Sequence, residues 1–514
     1  MSILKSTAIF GSFTMISRIL GFIRDILMAA VLGAGAITDC FVVAFKLPNF
    51  FRRLFAEGAF SASYVPIFSA TLEKDGKEVA LKFAEEAFAC LLITLLLFVA
   101  IFELFTPALI FTIANGFVDD EAKFSLAVIL TRYTFPFILF VSLSSLLAGI
   151  LNSLGRFAET AAVPIILNIC MISALVFAAN TLETPAHALA IAVSVAGFIQ
   201  LIFLFRACYS AGYRIKFKMP KLTPKVKKLL IVMGPAALGA GVIQLNLLLD
   251  MIIASHLPDA SMSYLYYADR LNQFPVGVIG VALGTVLLPL LSRNIASGDE
   301  VLVFKNQNQA IEMGLFFTVP AAVAFIVVPA DLIHVLLERS SFTSEATAQT
   351  SLTLMAYAAG LPAYVLAKVF VPGYFARNDT KTPLKFAIVA LFINISLNLI
   401  LMQYFAHVGL AMATAISAWI NVFMLAGGLM LRGHYKIENS LLIRLFKYLI
   451  CSVIMGSAVW LIRPLVKELI YGNAAEQVAG LLILVFSGFA VYLFATFLTK
   501  TVKKEELKAL FSKR

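Results

Sequence analysis

The chain has 514 residues, of which 61% are hydrophobic and 13% are charged. Because soluble globular proteins have about 45–50% apolar and about 25% charged residues, this composition excludes a water-soluble protein and indicates one that crosses a membrane many times. The net charge of +11 comes from 40 basic and 29 acidic residues scattered between apolar blocks, which excludes the single basic domain typical of nucleic-acid binding.

Apolar segments that can cross a bilayer as helices, which takes about 20 residues, follow one another along the chain. They predict an all-α polytopic membrane protein with about 14 transmembrane helices. The first segment contains Arg18 and Arg24 and runs to Leu32 without a convincing cleavage site, so it is interpreted as a span and not as a signal peptide. The predicted spans cover residues 7–32, 39–69, 82–113, 123–153, 159–181, 186–209, 227–256, 263–292, 307–337, 348–376, 383–404, 408–431, 442–464 and 476–499.

Basic residues are concentrated in every second loop between these spans. The connection between spans six and seven contains eight lysines and arginines from Arg206 to Lys228 and no acid. The loops of the opposite side are short or acidic, as at Asp119 and Glu121. Because loops rich in lysine and arginine stay in the cytoplasm, this pattern predicts that both termini are cytoplasmic. The basic tail after residue 500 is also compatible with affinity for acidic lipids.

The two halves of the sequence resemble each other. Pro136 and Pro362 lie 226 residues apart, and Asn168 and Asn394 are separated by the same number of residues. This pattern predicts a parallel duplication of spans one to six and seven to twelve, as in transporters built from two related lobes. The predicted domains are an N-terminal lobe of residues 1–212, a C-terminal lobe of residues 213–435, and two additional spans with a basic tail in residues 436–514.

Charged residues inside the predicted spans require an explanation, because a charge at the centre of a bilayer costs about 2.5–3.5 kcal/mol. By helical spacing, Arg18 and Asp25 share one face, whereas Arg24 is expected on another. Bases outnumber acids here, and a guanidinium group matches the oxygens of a phosphate, so the sequence predicts a cavity that binds an anion. The alternative is that salt bridges such as Arg18–Asp25 only join the helices. The group in the first two spans comprises Arg18, Arg24, Asp25, Asp39, Lys46, Arg52, Arg53 and Glu57, and Asp269 with Arg270 follows in span eight.

Longer motifs in the same regions are similar to those of the MurJ (MviN) family. Members of that family are bacterial flippases of lipid II, the peptidoglycan precursor. The resemblance covers essentially the whole chain and is strongest over residues 14–70. The matching motifs include Ser17-Arg18-Ile-Leu-Gly21-Phe-Ile-Arg24-Asp25, Ala44-Phe-Lys46-Leu-Pro48-Asn49, Tyr267-Ala-Asp269-Arg270-Leu and Gly373-Tyr-Phe-Ala-Arg377.

The resemblance implies the fold of the multidrug/oligosaccharidyl-lipid/polysaccharide exporter superfamily. Two six-helix lobes would enclose a central cationic cavity, and the last two spans would form a groove for the lipid tail. It also implies a monomeric transporter of the bacterial inner membrane, not an enzyme, with lipid II, membrane lipids and proteins of cell-wall synthesis as partners. By resemblance, Arg18, Arg24, Arg52 and Arg270 hold the pyrophosphate, Asp39 is an essential acid of the cavity, and Ser17, Asn49 and Glu57 make further contacts.

The energy source is predicted to be an ion or charge gradient, since the sequence has no phosphate-binding loop of the kind that holds ATP. No cofactor is expected apart from sodium as a coupling ion, for which oxygen ligands are suitable. The positions that resemble the sodium site of ion-coupled members of the family are Asp250, Asn394, Asn398 and Thr414. The alternative is that the amides and the hydroxyl group join helices by hydrogen bonds and bind no ion.

The function predicted from these observations is a lipid II flippase that moves the undecaprenyl-pyrophosphate-linked precursor from the cytoplasmic to the outer leaflet by alternating access. A flippase for another polyprenyl-linked sugar is an alternative that composition does not exclude. A drug/cation antiporter of the same superfamily is a second alternative, although such a protein favours an acidic cavity. A membrane-embedded glycosyltransferase would need a large outer loop, and the predicted outer loops are short.

Overall fold

The computed structural model describes residues 3–53 and 60–501, and within them it leaves out the side chains of residues 3–10, 62 and 235–243. The regular structure of the described residues is entirely helical. Ten of their helical segments are long and apolar enough to cross a membrane. The predicted all-α polytopic membrane fold is therefore confirmed, whereas the count of 14 spans and the domain boundaries stay predictions.

The chain forms two compact units. The first consists of Met1–Ser263 with Ser340–Phe342, and the second of Tyr264–Arg339 with Thr343–Arg514. The helices that begin in the first unit are α1 (Ile3–Leu32), α2 (Ala36–Phe51), α3 (Ser61–Leu104), α4 (Thr106–Ile113), α5 (Glu121–Thr134), α6 (Phe137–Ser153), α7 (Phe157–Ser173), α8 (Pro185–Ser210), α9 (Pro224–Ser255) and α10 (Ser261–Pro275). The helices of the second unit that follow are α11 (Val281–Ala296), α12 (Glu300–Val327), α13 (Pro329–Leu337), α14 (Ser344–Phe375), α15 (Lys381–Leu431), α16 (Asn439–Ile462), α17 (Lys467–Ile470) and α18 (Ala474–Leu498).

Side chains and prolines fix where several helices begin, because the first turn of a helix leaves backbone N–H groups without acceptors. The carboxylate of Asp120 accepts from the backbone N–H of Lys123 at the start of α5. Asn473 and Glu476 form a reciprocal pair of such bonds at the start of α18. Helices α8, α9 and α13 have proline in the first turn, where its missing N–H group costs nothing.

Two long helices each contain one residue with positive φ that divides them. The break in α3 lies at Gly76, with φ of 82°, and the break in α15 lies at Ala406, with φ of 46°. Glycine adopts positive φ freely, whereas an alanine held in so sparsely populated a region is strained by about 1–3 kcal/mol. The division of α15 at Ala406 confirms the boundary predicted between the spans 383–404 and 408–431.

Aromatic side chains form much of the core of each unit. In the first unit, Tyr64 stacks on Phe68 and on Phe83 within α3, with ring centroids 5.6 Å apart in both pairs. In the second unit, Phe316 of α12 lies 5.5 Å from Tyr448 of α16 and 5.3 Å from Tyr492 of α18. The two C-terminal helices are therefore packed on α12.

Large apolar side chains cover the outer faces of these same helices. Phe446 of α16 and Phe486 of α18 are each 65% exposed. Since a water-soluble surface rarely displays such a continuous apolar area, these faces are suited to the hydrocarbon of a membrane.

Candidate functional site

Arg24 on α1 is held by two neighbouring side chains. Its Nε and Nη2 atoms donate to Oδ1 of Asp25 at 3.1 and 2.7 Å, and its Nη1 atom donates to Oδ1 of Asn168 on α7 at 3.0 Å. All three side chains are buried, so these bonds replace the water that the charges would otherwise hold. The guanidinium group is therefore fixed in one orientation.

Asn168 also binds the backbone of α1. Its Nδ2 atom donates to the carbonyl oxygen of Ser17 at 2.9 Å, about two turns before Arg24. A Cβ atom added to Gly21 would lie 3.6 Å from the amide of Asn168, so the two helices are in close contact here. One amide thus sets both the position of α1 against α7 and the direction of the arginine.

The expectation that Arg24 points away from the face of Asp25 is wrong. Successive Cβ atoms of a helix diverge by about 100°. The arginine side chain is nevertheless long enough to turn back, and the pair is buried together because neither charge is stable alone in an apolar environment. Ser17 and Arg18, which precede this pair on α1, are half-buried.

Arg52 follows the last residue of α2 and is oriented by Asn49. The Nε atom of Arg52 donates to Oδ1 of Asn49 at 3.1 Å, and Nδ2 of Asn49 donates to the carbonyl oxygen of Phe45 at 2.8 Å. Lys46 and Arg53 are exposed. The predicted contact residue Glu57 lies outside the described residues.

Asp39 on α2 is buried and binds the first turn of α10. Its Oδ1 atom accepts from the backbone nitrogen and from Oγ of Ser263 at 2.8 and 2.6 Å, and its Oδ2 atom accepts from the backbone nitrogen of Ala260 at 2.9 Å. The N-terminus of a helix carries a partial positive charge, which a carboxylate stabilises. Asp39 is therefore an N-cap that another helix supplies, a role that the sequence did not predict.

Lys123 on α5 lies on the other side of Asp39. Its Nζ atom is 3.6 Å from Oδ2 of Asp39 and 2.5 Å from Oδ1 of Asp259, and it lies 4.2 Å above the ring of Phe117. The sequence places three acids among the five bases of the first two spans. One of these acids, Asp39, is paired with a base outside that group. Because Lys123 also pairs with Asp259, an acid outside the group, the excess of bases over acids around α1 and α2 stays as the simple count gives it.

Arg270 belongs to α10 in the second unit, and its side chain is exposed. Its guanidinium carbon lies 4.6 Å from the centroid of the Tyr266 ring, which is a cation–π contact. The neighbouring carboxylate of Asp269 accepts from Nε2 of Gln273 at 3.2 Å. An amide one turn further along the helix therefore orients the acid beside Arg270.

Three of the four predicted sodium ligands lie on α15. Nδ2 of Asn398 donates to Oδ1 of Asn394 at 3.1 Å, and Nδ2 of Asn394 donates to Oγ of Ser417 at 3.3 Å. Thr414 donates its hydroxyl hydrogen to the carbonyl oxygen of Leu410 at 2.9 Å. Of these bonds, the one between Asn394 and Ser417 joins the two halves of α15, as the helix-packing alternative predicts. A sodium ion would have to take the oxygen of Asn394 from Asn398.

The fourth predicted ligand, Asp250, lies on α9 in the first unit. Its Oδ2 atom accepts from Nδ2 of Asn246 at 3.3 Å. Within the part of the chain that the structure describes, no three His, Cys, Asp or Glu side chains are grouped as metal ligands would be. The donors are thus the carboxylate, amide and hydroxyl oxygens that suit sodium, and the sodium site itself stays a prediction.

Sequence reasoning missed two residues that organise the described site, Asn168 and Lys123. Asn168 was noted only as a marker of the internal repeat, and Lys123 lies at the start of a predicted span. The signal that could have identified Asn168 is an amide inside an apolar span at a position that the repeat contains twice. For Lys123 no such signal exists, because its partners Asp39 and Asp259 are 84 and 136 residues away in sequence.

The chain was compared with known families and proteins. It matches the family model described as "Lipid II flippase MurJ" over residues 28–480. Among its relatives, a "Probable lipid II flippase MurJ" from Rhizobium meliloti is 40% identical over 97% of this chain and 94% of its own length. A protein of the same description from Rickettsia prowazekii is 37% identical over 98% of this chain and 99% of its own.

Solved structures are similar as well. One described as "Lipid II flippase MurJ, inward closed conformation" has a TM-score of 0.79 and 28% identity, and the match covers 95% of this chain and 98% of that one. An inward-facing multidrug transporter of the MATE family, within the MOP superfamily, has a TM-score of 0.67 at 13% identity, over 83% of this chain and 98% of that one. The second match shows a shared fold alone. Because the family model and the relatives cover nearly the whole sequence, this chain belongs to the lipid II flippase MurJ family.

Proposed function

We propose that this protein is a lipid II flippase, which moves the undecaprenyl-pyrophosphate-linked peptidoglycan precursor from the cytoplasmic to the outer leaflet of the inner membrane. The observation that carries the proposal is the buried guanidinium group of Arg24, fixed by Asp25 and Asn168 and accompanied by further bases on α1 and α2. An arginine stays charged when it is buried, and its planar fork matches the oxygens of a pyrophosphate.

The polar headgroup is the part of such a molecule that cannot cross the hydrocarbon of the membrane unaided. A polyprenyl chain gains about 0.8 kcal/mol for each CH₂ group that stays in the hydrocarbon, so it remains in the membrane throughout. The charged pyrophosphate and the sugars need a polar path. We assign that path to the arginine-containing side of α1 and α2, and the tail to the apolar faces of α16 and α18.

The transport cycle follows from the separate paths of the headgroup and the lipid tail. Arg18, Arg24 and Arg52 attract the pyrophosphate from the cytoplasmic side, and Arg270 stays a further predicted contact. Alternating access then exposes the headgroup to the outer side. The chain acts as a monomeric transporter with cytoplasmic termini and makes no covalent change to the lipid. Proteins of cell-wall synthesis that use lipid II are its expected partners, and sodium is the coupling ion that we propose.

The excess of bases favours an anionic substrate over the cationic drugs of an antiporter. Asp25 and Asp39 are each paired with a base, so neither acid offers an unbalanced negative charge to a cation. The ion pair with Asp25 balances Arg24 as well, so the anion is attracted by the excess of bases over acids on α1 and α2 and not by Arg24 alone. A polyprenyl-linked sugar other than lipid II would satisfy the same chemistry. The experiment must therefore follow lipid II itself.

The test is the leaflet distribution of lipid II in cells depleted of this protein, read with an externally added enzyme that cleaves only outward-facing headgroups. We expect lipid II to become protected from the enzyme while its total amount rises. Lipid II that stays accessible, in cells where no second flippase is present, would contradict the proposal and point to another polyprenyl-linked sugar.

The same assay distinguishes the contributions of two arginines of the first unit to transport. Arg24→Ala removes a buried group that Asp25 and Asn168 hold in place, and we expect transport to be lost. Arg53→Ala removes an exposed group, and we expect a milder defect. Wild-type transport in both variants would disprove the anion-site interpretation, because the buried cation would then have no role in capture.

A further inference from the structure

The segment that joins α8 to α9 is a short basic strap, residues 213–223. Its sequence alternates basic and apolar residues from Arg214 to Leu222 and contains no acid. The backbone belongs to no helix. Such a segment is commonly a solvated loop, so its contacts with the rest of the first unit decide what it can do.

Two buried acids of α3 hold the strap in place. The backbone nitrogen of Lys216 donates to Oε1 of Glu85 at 3.0 Å, and Nζ of Lys218 is paired with Oε2 of the same carboxylate. The hydroxyl group of Thr223 donates to Oε2 of Glu86 at 2.8 Å. Glu85 is 3% exposed and Glu86 is 8% exposed. Because a buried carboxylate is costly without such partners, the strap is fixed to α3 and does not move as a loose loop.

The outer side of the strap is apolar. Phe217, Met219 and Leu222 are 73%, 80% and 74% exposed. The ring of Phe217 touches Phe88 of α3 at 5.7 Å and Phe205 of α8 at 6.1 Å between centroids. Beyond these two contacts, α3 and α8 expose the large apolar side chains that a membrane-spanning helix presents to lipid. The strap therefore lies at the edge of the apolar belt of the first unit.

Lysines surround these exposed apolar groups. The side chains of Lys216, Lys221, Lys227 and Lys228 are exposed, and no acid lies between residues 206 and 228. Apolar side chains beside several lysines are the combination that binds the surface of an anionic bilayer, with the apolar groups inserted below the phosphates. Each lysine near such a surface contributes about 1 kcal/mol.

We propose that residues 213–223 are a membrane-surface anchor that binds the headgroups of anionic phospholipids. Phe217, Met219 and Leu222 insert at the level of the headgroups, and Lys216 and Lys221 contact the lipid phosphates. Glu85 and Glu86 position the strap at that depth. The anchor concerns the bulk lipids of the membrane, so it does not depend on which lipid the protein transports.

The test is hydrogen–deuterium exchange of the full-length protein in nanodiscs of phosphatidylcholine alone and in nanodiscs that also contain phosphatidylglycerol. We expect the backbone of residues 213–223 to exchange several-fold more slowly in the anionic discs. In the double variant Lys216→Gln/Lys221→Gln that protection should be lost, because each lysine contributes about fivefold to binding of an anionic surface. Neither substitution removes a bond to Glu85 or Glu86, because Lys216 uses its backbone nitrogen.

The matched control is Lys216→Arg/Lys221→Arg, which keeps both charges and should keep the protection. High salt should abolish the protection in the wild-type protein, since exposed charges are screened over a few ångströms at about 1 M salt. Equal exchange in the two kinds of disc, or protection that persists in high salt or in the glutamine variant, would overturn the proposal. The salt experiment decides the question even where the glutamine variant does not fold.

Discussion

The amide of Asn168 holds the guanidinium group of Arg24 and the backbone of α1 at the same time. The substitution Asn168→Ala removes both bonds. It takes this partner from the donor of Arg24 and from the carbonyl oxygen of Ser17, and the loss of a buried partner costs about 1–3 kcal/mol of stability. We expect transport of lipid II to fall about tenfold. A loss of about 1.4 kcal/mol in the free energy with which the correctly oriented arginine binds the pyrophosphate corresponds to that factor. The leaflet assay in cells with the variant as sole copy measures this.

A matched control is Gln200→Ala on the neighbouring helix α8. Gln200 is also a buried amide that bonds α7, since its Nε2 atom donates to the carbonyl oxygen of Val163 at 2.9 Å. We expect its loss to lower the unfolding temperature to a similar extent and to leave transport intact. Equal transport defects in the two variants would mean that Asn168 only stabilises the fold and does not position Arg24.

The carboxylate of Asp39 offers a second prediction at this scale. Asp39→Asn keeps the size of the side chain but removes the charge that faces the N-terminus of α10 and Lys123. A hydrogen bond to a charged group contributes about 1.5–3 kcal/mol, so we expect a clear fall in the unfolding temperature in detergent. Ser263→Ala is the control, because it leaves the backbone bonds to Asp39 and should cost less. Wild-type stability of the Asn variant would contradict the capping role.

Contacts between elements depend on glycine where two backbones meet. Gly116, in the turn between α4 and α5, donates its N–H to Oγ of Ser255 at the end of α9. A Cβ atom at this position would lie 2.2 Å from the carbonyl oxygen of Ser255, and a backbone atom cannot move aside as a side chain can. We expect Gly116→Ala to cost at least about 1–3 kcal/mol, the usual range for overpacking.

Thermal unfolding in detergent measures this cost, and Gly427→Ala in α15 is the matched substitution. A Cβ atom at Gly427 meets open space, so alanine there should be neutral or stabilise the helix by about 0.5–1 kcal/mol. An unchanged unfolding temperature in the Gly116 variant would show that α9 separates from the turn easily.

The helices themselves could be predicted from the sequence because hydrophobic length is a local property. The segment predicted at 186–209 corresponds to α8 at Pro185–Ser210, and the predicted break near residue 406 is present. The pairing of side chains between helices is not local. The capping contact of Asp39 could not be predicted, because nothing in its own helix shows that the N-terminus of α10 lies against it. The direction of Arg24 was misjudged because helical periodicity locates Cβ atoms and does not locate the end of a long side chain.

The predicted duplication of the chain gives a chemical meaning to one repeated position. Asn168 and Asn394 are separated by the repeat distance, and both are buried amides. In the first unit the amide binds an arginine, whereas in the second it binds another amide and a hydroxyl group. The two halves therefore keep the same polar position but differ in charge. This difference fits an anion site in the first half. In the second half it fits either a packing contact or a contribution of uncharged amide and hydroxyl ligands to a cation site.

The proposed coupling to sodium concerns the whole transporter, and a test of it separates these last two roles. In proteoliposomes, we expect an imposed sodium gradient to increase lipid II transport, and Asp250→Ala to abolish that increase, because the carboxylate is the one charged oxygen ligand among the four predicted. Asp379→Asn, in the turn before α15, is the control and should keep the response. If Asn394 only joins the halves of α15 through Ser417, Asn394→Ala lowers the unfolding temperature and leaves the sodium response unchanged. A sodium response that survives in Asp250→Ala removes sodium from the predicted site and leaves the membrane potential, worth about 2.3 kcal/mol per charge at 100 mV, as the driving force.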